Sequence, residues 1–222
     1  MPDYYVRTYK HWYKWFSRIY DHFTTATCFL FYGFDGERRF RESIMDRLNP
    51  QQGEKILDIC SGTGTLTIMI AKRLAGKGEV TGIEISPDQL RIARRKEKPD
   101  GLSFIEGDAQ DIPFPDSYFD KSTIFGALHE MPREVRRNVL SEAYRVIRPE
   151  GKIAIVEQNK PERKWKSLLL DFLEMFNPEF PTYKDMLECG LANEIKQAGF
   201  RVIETDTACW EFFQIVLAEK GK

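Results

Sequence analysis

Residues 55–64 read KILDICSGTG, in which a short β-branched run ends in a turn that contains two glycines. An apolar pattern with helical spacing follows from about Leu66 to Leu74. The segment therefore predicts a strand, a glycine turn and a helix in succession. Gly62 and Gly64 allow the backbone to approach a ligand closely, and the helix N-terminus offers free amide groups to it.

Strand and helix patterns alternate along the rest of the chain, which is typical of parallel βαβ units. Ser86 followed by Pro87 predicts the start of a helix that runs to about Lys96, and a further helix is expected to end near Gly199. Together the patterns predict an α/β fold with a Rossmann-like, doubly wound, mostly parallel sheet and helices on both faces. The seven expected strands are residues 55–60, 78–85, 102–106, 119–125, 152–157, 200–205 and 210–218.

Two segments outside this alternation indicate the domain organisation. Residues 1–49 predict an N-terminal helical lid, because residues 1–34 hold 13 of the 29 aromatic residues and a helix over residues 5–20 would separate basic from aromatic faces. Residues 50–222 form the expected ligand-binding domain, in which residues 160–188 predict a helical insertion over the site. The lid either packs on this domain or places part of its aromatic face on a membrane surface.

Composition limits the class of protein. Hydrophobic residues at 42% and charged residues at 30% are typical of a globular domain. A formal net charge of -1 provides no broad positive field for nucleic acid, which is not an expected partner. The cysteines and histidines lack the spacing of metal ligands, so no metal is expected. Without a recognisable signal peptide or spanning segment, the expected location is the cytoplasm, with peripheral membrane contact through residues 1–34 as an addition.

Three acidic residues, Asp58, Glu84 and Asp108, lie at or just after the ends of three successive predicted strands. The carboxyl ends of parallel strands face one crevice, where ligands bind. Glu84 follows Asp58 by 26 residues, a spacing at which a carboxylate accepts hydrogen bonds from both hydroxyls of a ribose. A dinucleotide fingerprint has a third glycine where this chain has Thr67, and carboxylates repel a pyrophosphate. The acidic lining favours a cationic sulfonium cofactor.

Five segments in chain order carry a family resemblance. They are residues 56–64, 82–86, 107–114, 119–126 and 145–152. Together they resemble the motifs of the class I S-adenosylmethionine-dependent methyltransferases. Within that family the chain is most similar to the branch of ubiquinone and menaquinone biosynthesis C-methyltransferases and their small-molecule relatives. The residues that carry this closer likeness are Tyr20-Asp21, Gly33, Arg39-Phe40-Arg41 and residues 157–161.

The resemblance implies S-adenosylmethionine as cofactor, S-adenosylhomocysteine as product, and a role for each matched residue. Glu84 would bind the ribose, and Asp108 with the Ala109 amide would bind adenine. Asp58 and the glycine loop would surround the methionine part, and Phe125 would close over the reacting end. The full implied set is Tyr20, Asp58, Cys60, Ser61, Gly62, Thr63, Gly64, Glu84, Ile85, Asp108, Ala109 and Phe125.

His129 is the only histidine near the predicted strand ends, which makes it the candidate general base. A structural histidine that begins or caps the next helix is the alternative. The chain reads FGALH at residues 125–129, where the quinone enzymes usually carry an Arg-Asn pair after Phe-Gly. This departure leaves the acceptor open among a quinone precursor, a lipid headgroup and a secondary metabolite.

Two functions of other classes also remain open on the sequence alone. One is a non-catalytic nucleotide-binding module of the same fold, and the other is a dinucleotide-dependent oxidoreductase.

Overall fold

The computed structural model of the protein describes residues 35–97, 99–166, 168 and 180–222. Its strands are β1 (Lys55–Ile59), β2 (Glu79–Glu84), β3 (Leu102–Glu106), β4 (Phe119–Phe125), β5 (Ile147–Gln158), β6 (Phe200–Ala208) and β7 (Phe213–Lys220). They form one seven-stranded sheet in the order β3-β2-β1-β4-β5-β7-β6. The pairs β1/β2, β2/β3 and β4/β5 are parallel, whereas β7 runs antiparallel to both β5 and β6. The predicted α/β class with a mostly parallel sheet is confirmed.

Helices lie before and between the strands, and one of them is the short 3-10 helix Leu128–Glu130. The α-helices are α1 (Gly36–Leu48), α2 (Thr65–Leu74), α3 (Pro87–Ala93), α4 (Arg133–Val146), α5 (Phe180–Cys189) and α6 (Leu191–Gln197). The chain forms two compact units, of which the first ends at Ala109 and the second begins at Gln110. The predicted lid boundary at residue 49 stays a prediction, since residues 1–34 lie outside the described residues.

The first unit is built around a buried strand and one apolar helix face. Ile56, Leu57 and Ile59 of β1 are fully buried, as expected of a strand covered on both sides. The side chains of Leu66 and Ile70, one turn apart on α2, are also buried. At the start of α3, the predicted Ser86 cap is present, because its hydroxyl accepts a hydrogen bond from the Gln89 amide at 3.4 Å. This helix ends at Ala93, three residues before the predicted end.

The second unit corrects three predicted boundaries. β5 begins at Ile147 rather than at residue 152, because Ile147 already pairs with Phe119 of β4 and a register irregularity follows before Lys152 pairs with Lys121. The single helix expected to end near Gly199 is two helices, separated by Gly190 with a left-handed φ of 76°. β7 begins at Phe213 rather than at residue 210, because residues 209–211 have φ values of 52°, 57° and 76°, which a strand cannot accommodate.

Among the described residues, no helix combines the length and apolar character that crossing a bilayer requires.

Candidate cofactor and acceptor sites

The glycine loop after β1 lies in backbone conformations that favour glycine. Cys60, Gly62 and Gly64 have left-handed φ values of 57°, 57° and 77°. A Cβ atom at Gly64 would lie 2.5 Å from the ring of Phe104, and one at Gly62 would lie 2.7 Å from Oε1 of Gln89. Gly64 is therefore required by space as well as by conformation, whereas at Gly62 the contact is with the end of a flexible side chain and the backbone conformation is what favours glycine. Cys60 has the same positive φ as Gly62 although it carries a side chain, so glycine would also suit this position.

Glu84, the last residue of β2, holds the glycine loop in place. Its side chain is buried, and its Oε2 atom accepts a hydrogen bond from the Gly62 amide at 3.0 Å. Oε1 accepts a second hydrogen bond from the Ser86 amide at 2.8 Å. A carboxylate has about four lone-pair positions, so Glu84 can accept hydrogen bonds from a ligand in addition to those from the backbone. The loop and the carboxylate thus form one preorganised acceptor of hydrogen bonds.

Burial raises the pKa of Glu84 from its ordinary 4.5 to about 7. Desolvation is the main cause, because it disfavours the charged carboxylate, and the nearby charge of Asp58 acts in the same direction. The backbone hydrogen bonds from Ser86, Gly62 and Ile85 oppose this change. A buried carboxyl group with a raised pKa in a cleft is typical of a ligand site rather than of a structural ion pair.

Asp58 is the second buried carboxylate of this unit, with 2% of its surface exposed. Its Oδ2 atom accepts a hydrogen bond of 2.6 Å from the hydroxyl of Thr67, in the first turn of α2. Thr67 occupies the position of the third glycine in a dinucleotide fingerprint, and its hydroxyl orients the carboxylate instead. The sequence identified Thr67 only as a departure from that fingerprint, so this contact is a feature that sequence reasoning missed.

The first unit also contains other residues that were predicted to bind the cofactor. Asp108 and Ala109 follow the end of β3, where the Gly107 amide donates to the Glu84 carbonyl at 3.1 Å. Thr63 is buried, and its hydroxyl accepts a hydrogen bond from Lys96 Nζ at 3.2 Å. Lys96 was not identified from the sequence, because a lysine shortly after a helix carries no distinctive signal. Ile85 is half-buried beside Glu84, and Tyr20 lies outside the described residues.

The residues of this unit fit a ligand that carries cationic groups and a diol. Two buried carboxylates, Asp58 and Glu84, provide negative charge and hydrogen-bond acceptors. Among the described residues, the buried Ser61 Oγ and Gln89 Oε1 atoms have no hydrogen-bond partner. A buried polar atom without a partner is costly, which is consistent with atoms that await a ligand. These negative charges and hydrogen-bond acceptors therefore suit S-adenosylmethionine and do not suit a pyrophosphate.

In the second unit, the end of β4 leads into a turn that presents a histidine. Phe125 is half-buried, and Gly126, with a φ of 60°, donates its amide to the Val156 carbonyl at 2.8 Å. His129 follows in the short 3-10 helix, and its Nδ1 atom lies 2.7 Å from Oε2 of Glu157, near the end of β5. His129 is thus a buried, hydrogen-bonded residue and not simply a helix cap.

A buried arginine network holds the helices behind this turn. Arg136 of α4 is completely buried, and its guanidinium forms two hydrogen bonds of 2.9 Å to Glu194 of α6. It also contacts Asp185 of α5 at 2.6 Å and the Met131 carbonyl at 2.7 Å. A charge at this depth requires such partners. The network joins α5 and α6 to the turn that carries His129.

The aromatic residues of the predicted insertion have different environments. Tyr183 of α5 is buried, and its ring stacks on that of Phe180 with centroids 6.3 Å apart. Trp165 is 56% exposed, so it lines no closed pocket. Phe172 and Phe176 lie outside the described residues. Since α5 packs against the 3-10 helix, Tyr183 and its neighbours are close to the His129 turn.

The fold and its acidic, glycine-lined site define an α/β protein that binds an adenosine-containing cofactor, and comparisons with known proteins narrow this class. A family model described as a methyltransferase domain matches residues 56–151. Demethylmenaquinone methyltransferase of Geobacillus sp. (strain WCH70) is 37% identical over 149 residues, which cover 66% of this chain and 62% of the relative. The protein of the same name from Anoxybacillus flavithermus is 30% identical over 205 residues, which cover 83% of this chain and 85% of the relative.

A solved structure shares the fold. The SAM-dependent methyltransferase from Aquifex aeolicus superposes with a TM-score of 0.65 at 21% identity, over 81% of this chain and 88% of that one. The segment aligned with the Geobacillus relative spans less than two thirds of that relative's length.

The chain belongs to the class I S-adenosylmethionine-dependent methyltransferases, close to the menaquinone branch, and S-adenosylmethionine is its cofactor. This membership decides against the dinucleotide-dependent oxidoreductase that the sequence alone left open.

Proposed function

We propose that the protein transfers a methyl group to a ring carbon of a quinone precursor in its reduced, hydroxyl-bearing form. The observation that carries this proposal is the buried pair of His129 and Glu157, whose polar atoms lie 2.7 Å apart. A ring carbon becomes a good nucleophile when a neighbouring hydroxyl loses its proton, and an imidazole is the side chain best suited to accept it near neutral pH. The names of the relatives support the same acceptor class.

The cofactor-binding roles follow from the buried acids of the first unit. When bound, S-adenosylmethionine supplies a methyl group activated by a positively charged sulfur. Glu84 accepts hydrogen bonds from the ribose hydroxyls, and Asp58, oriented by Thr67, attracts the ammonium group of the methionine part. Asp108 and the Ala109 amide bind adenine. Each of these roles is the one that the family resemblance implies for that residue.

The protein contributes proton transfer and positioning to the reaction. His129 accepts the hydroxyl proton of the acceptor at Nε2, so that negative charge moves to the ring carbon that forms the new C–C bond. The ring carbon would take the methyl group that S-adenosylmethionine supplies, with S-adenosylhomocysteine as the leaving group, and the methylated carbon would then lose its hydrogen as a proton. His129 returns its proton to the acceptor oxygen. The net change is one methyl group transferred and one proton released, with no covalent enzyme intermediate.

The departure from the quinone-enzyme pattern is consistent with this proposal. The Arg-Asn pair usual in those enzymes is replaced in this chain by the segment that ends in His129. The polar side chain at this turn is therefore a histidine, and the buried carboxylate of Glu157 holds it in place. The chemistry requires one positioned proton acceptor, which His129 provides.

A direct assay tests the acceptor. Purified protein is incubated with methyl-labelled S-adenosylmethionine and a short-chain demethylnaphthoquinone, either reduced to its quinol or kept oxidised. We expect label in the quinol product, with a mass gain of one methylene, and none in the oxidised sample. Methylation of both forms at the same rate, or of neither, would refute the proposal.

The base role of His129 has its own test. His129→Ala should lower turnover by a factor of about 10² to 10⁴ while the affinity for S-adenosylhomocysteine changes little, because the base acts in the transition state. Calorimetry provides the affinity and the quinol assay provides the turnover. Unchanged turnover would return His129 to a structural role.

We further propose that residues 1–34 contact the membrane in which such an acceptor dissolves. The support is the basic and aromatic amphipathic pattern of this segment, which lies outside the described residues. The protein should co-sediment with anionic vesicles at low salt, and Lys10→Glu with Lys14→Glu should abolish this. Failure of the intact protein to bind such vesicles would leave the segment as a lid alone.

A further inference from the structure

Glu157 is a buried acid in the second unit whose role the sequence did not reveal. Its side chain is completely inaccessible to solvent, and it lies one residue before the end of β5. An ionised carboxylate is placed in a protein interior only where hydrogen bonds compensate for the lost water. The partners of Glu157 therefore indicate what the residue does.

The two carboxylate oxygens of Glu157 have different partners. Oε1 accepts hydrogen bonds from the amides of Ala127 at 2.7 Å and Leu128 at 2.5 Å. Oε2 lies 2.7 Å from Nδ1 of His129. Backbone amides can only donate, so Oε1 is fixed as an acceptor, and the carboxylate plane is thereby fixed as well. Oε2 is consequently presented to the imidazole in one orientation.

We propose that Glu157 is a positioning residue that fixes His129 in the tautomer with its proton on Nδ1. An ionised carboxylate oxygen can only accept a hydrogen bond, so Nδ1 must be the donor. Nε2 is then the basic ring nitrogen, the one that takes the proton from the methyl acceptor. The tautomer itself is independent of the acceptor, and only its catalytic consequence rests on the proposed function.

One isosteric substitution separates this role from simple packing. In Glu157→Gln, the carbonyl oxygen of the new amide stays on the Ala127 and Leu128 amides, which still require an acceptor. The amide nitrogen must then face Nδ1 of His129, and it can only donate. Nδ1 becomes the acceptor, and the proton moves to Nε2. The side chain keeps its volume and its capping hydrogen bonds, but the tautomer is inverted.

Nitrogen NMR on histidine-labelled protein measures the tautomer directly. The chain has three histidines, and the spectrum of His129→Gln assigns the signals of His129. We expect Nδ1 to be protonated in the wild-type protein and Nε2 to be protonated in Glu157→Gln. A wild-type spectrum with the proton on Nε2 would mean that the carboxyl group holds the proton of the pair, and would overturn the proposal without any variant.

Activity measurements complete the test. Glu157→Gln should lose at least a hundredfold in turnover with the quinol, while its affinity for S-adenosylhomocysteine stays within about twofold and shows that the variant is folded. An inverted tautomer with full turnover would refute the positioning role. If the wild-type protein methylates no quinol but its spectrum shows Nδ1 protonated, the proposed acceptor fails and the tautomer assignment stands.

Discussion

Cofactor affinity should depend on pH through the ionisation of Glu84. The carboxylate of Glu84 already accepts hydrogen bonds from the Gly62 and Ser86 amides. Both ribose hydroxyls donate hydrogen bonds, and only the ionised carboxylate can accept from them as well. Burial raises the pKa of Glu84 to about 7 in the free protein. A large part of the protein is therefore in the protonated, weakly binding form below neutral pH.

The size of this effect follows from the pKa. With a value of about 7, roughly nine tenths of the Glu84 carboxyl groups are ionised at pH 8 and roughly one tenth at pH 6. The apparent dissociation constant varies inversely with the competent fraction, so it should rise about tenfold between these pH values. An ordinary carboxyl group with a pKa of 4.5 would be ionised throughout this range and would give no change.

Calorimetry with 5′-methylthioadenosine measures this dependence cleanly. This probe keeps the ribose but lacks the amino-acid part, whose own ammonium titrates in the same range. Glu84→Gln should bind weakly at every pH and show no pH dependence. Glu79→Gln is the matched control, because Glu79 is an exposed residue at the other end of β2, and this variant should keep the tenfold change. A wild-type dissociation constant that is flat from pH 8 to pH 6 would refute the reasoning.

The same ionisation should be visible in the stability of the cofactor-free protein. Because the folded pKa of Glu84 lies above the unfolded value, the folded state binds the proton more tightly, and this contribution is lost as the pH rises from about 4.5 to about 7. The full difference corresponds to about 3 kcal/mol in the free energy of unfolding. Urea titrations of wild-type protein and Glu84→Gln across this range should diverge by up to that amount.

Two further substitutions test the packing around the sites by urea unfolding. Gly64→Ala should lower the free energy of unfolding by about 1 to 3 kcal/mol more than Gly53→Ala. Both glycines have a positive φ, but only at Gly64 would the new methyl group meet an aromatic ring, at 2.5 Å. Equal losses in the two variants would contradict this steric argument. Arg136→Met should cost about 3 to 5 kcal/mol, because it leaves Glu194 buried without its cation. Arg133→Met, which removes a half-exposed ion pair, should cost much less, and similar losses in the two variants would contradict the importance of burial.

Local patterns in the sequence were sufficient to predict most of the fold. The strands Leu102–Glu106 and Phe119–Phe125 have the predicted ends, because turn residues flank both segments. The start of β7 could not be predicted in the same way. Cys209 and Trp210 have ordinary strand-forming side chains, and only the tertiary structure places them in a left-handed turn.

Spacing along the chain was enough to predict the cofactor class of this protein. The glycine loop with Asp58, Glu84 and Asp108 at or after successive strand ends is a pattern of short-range spacing, and parallel strands bring such ends together in any fold of this type. How individual side chains are used became visible only in the folded protein. Thr67 orients Asp58 and Glu157 orients His129, 28 residues away, because contacts between distant chain segments depend on packing that no local pattern encodes.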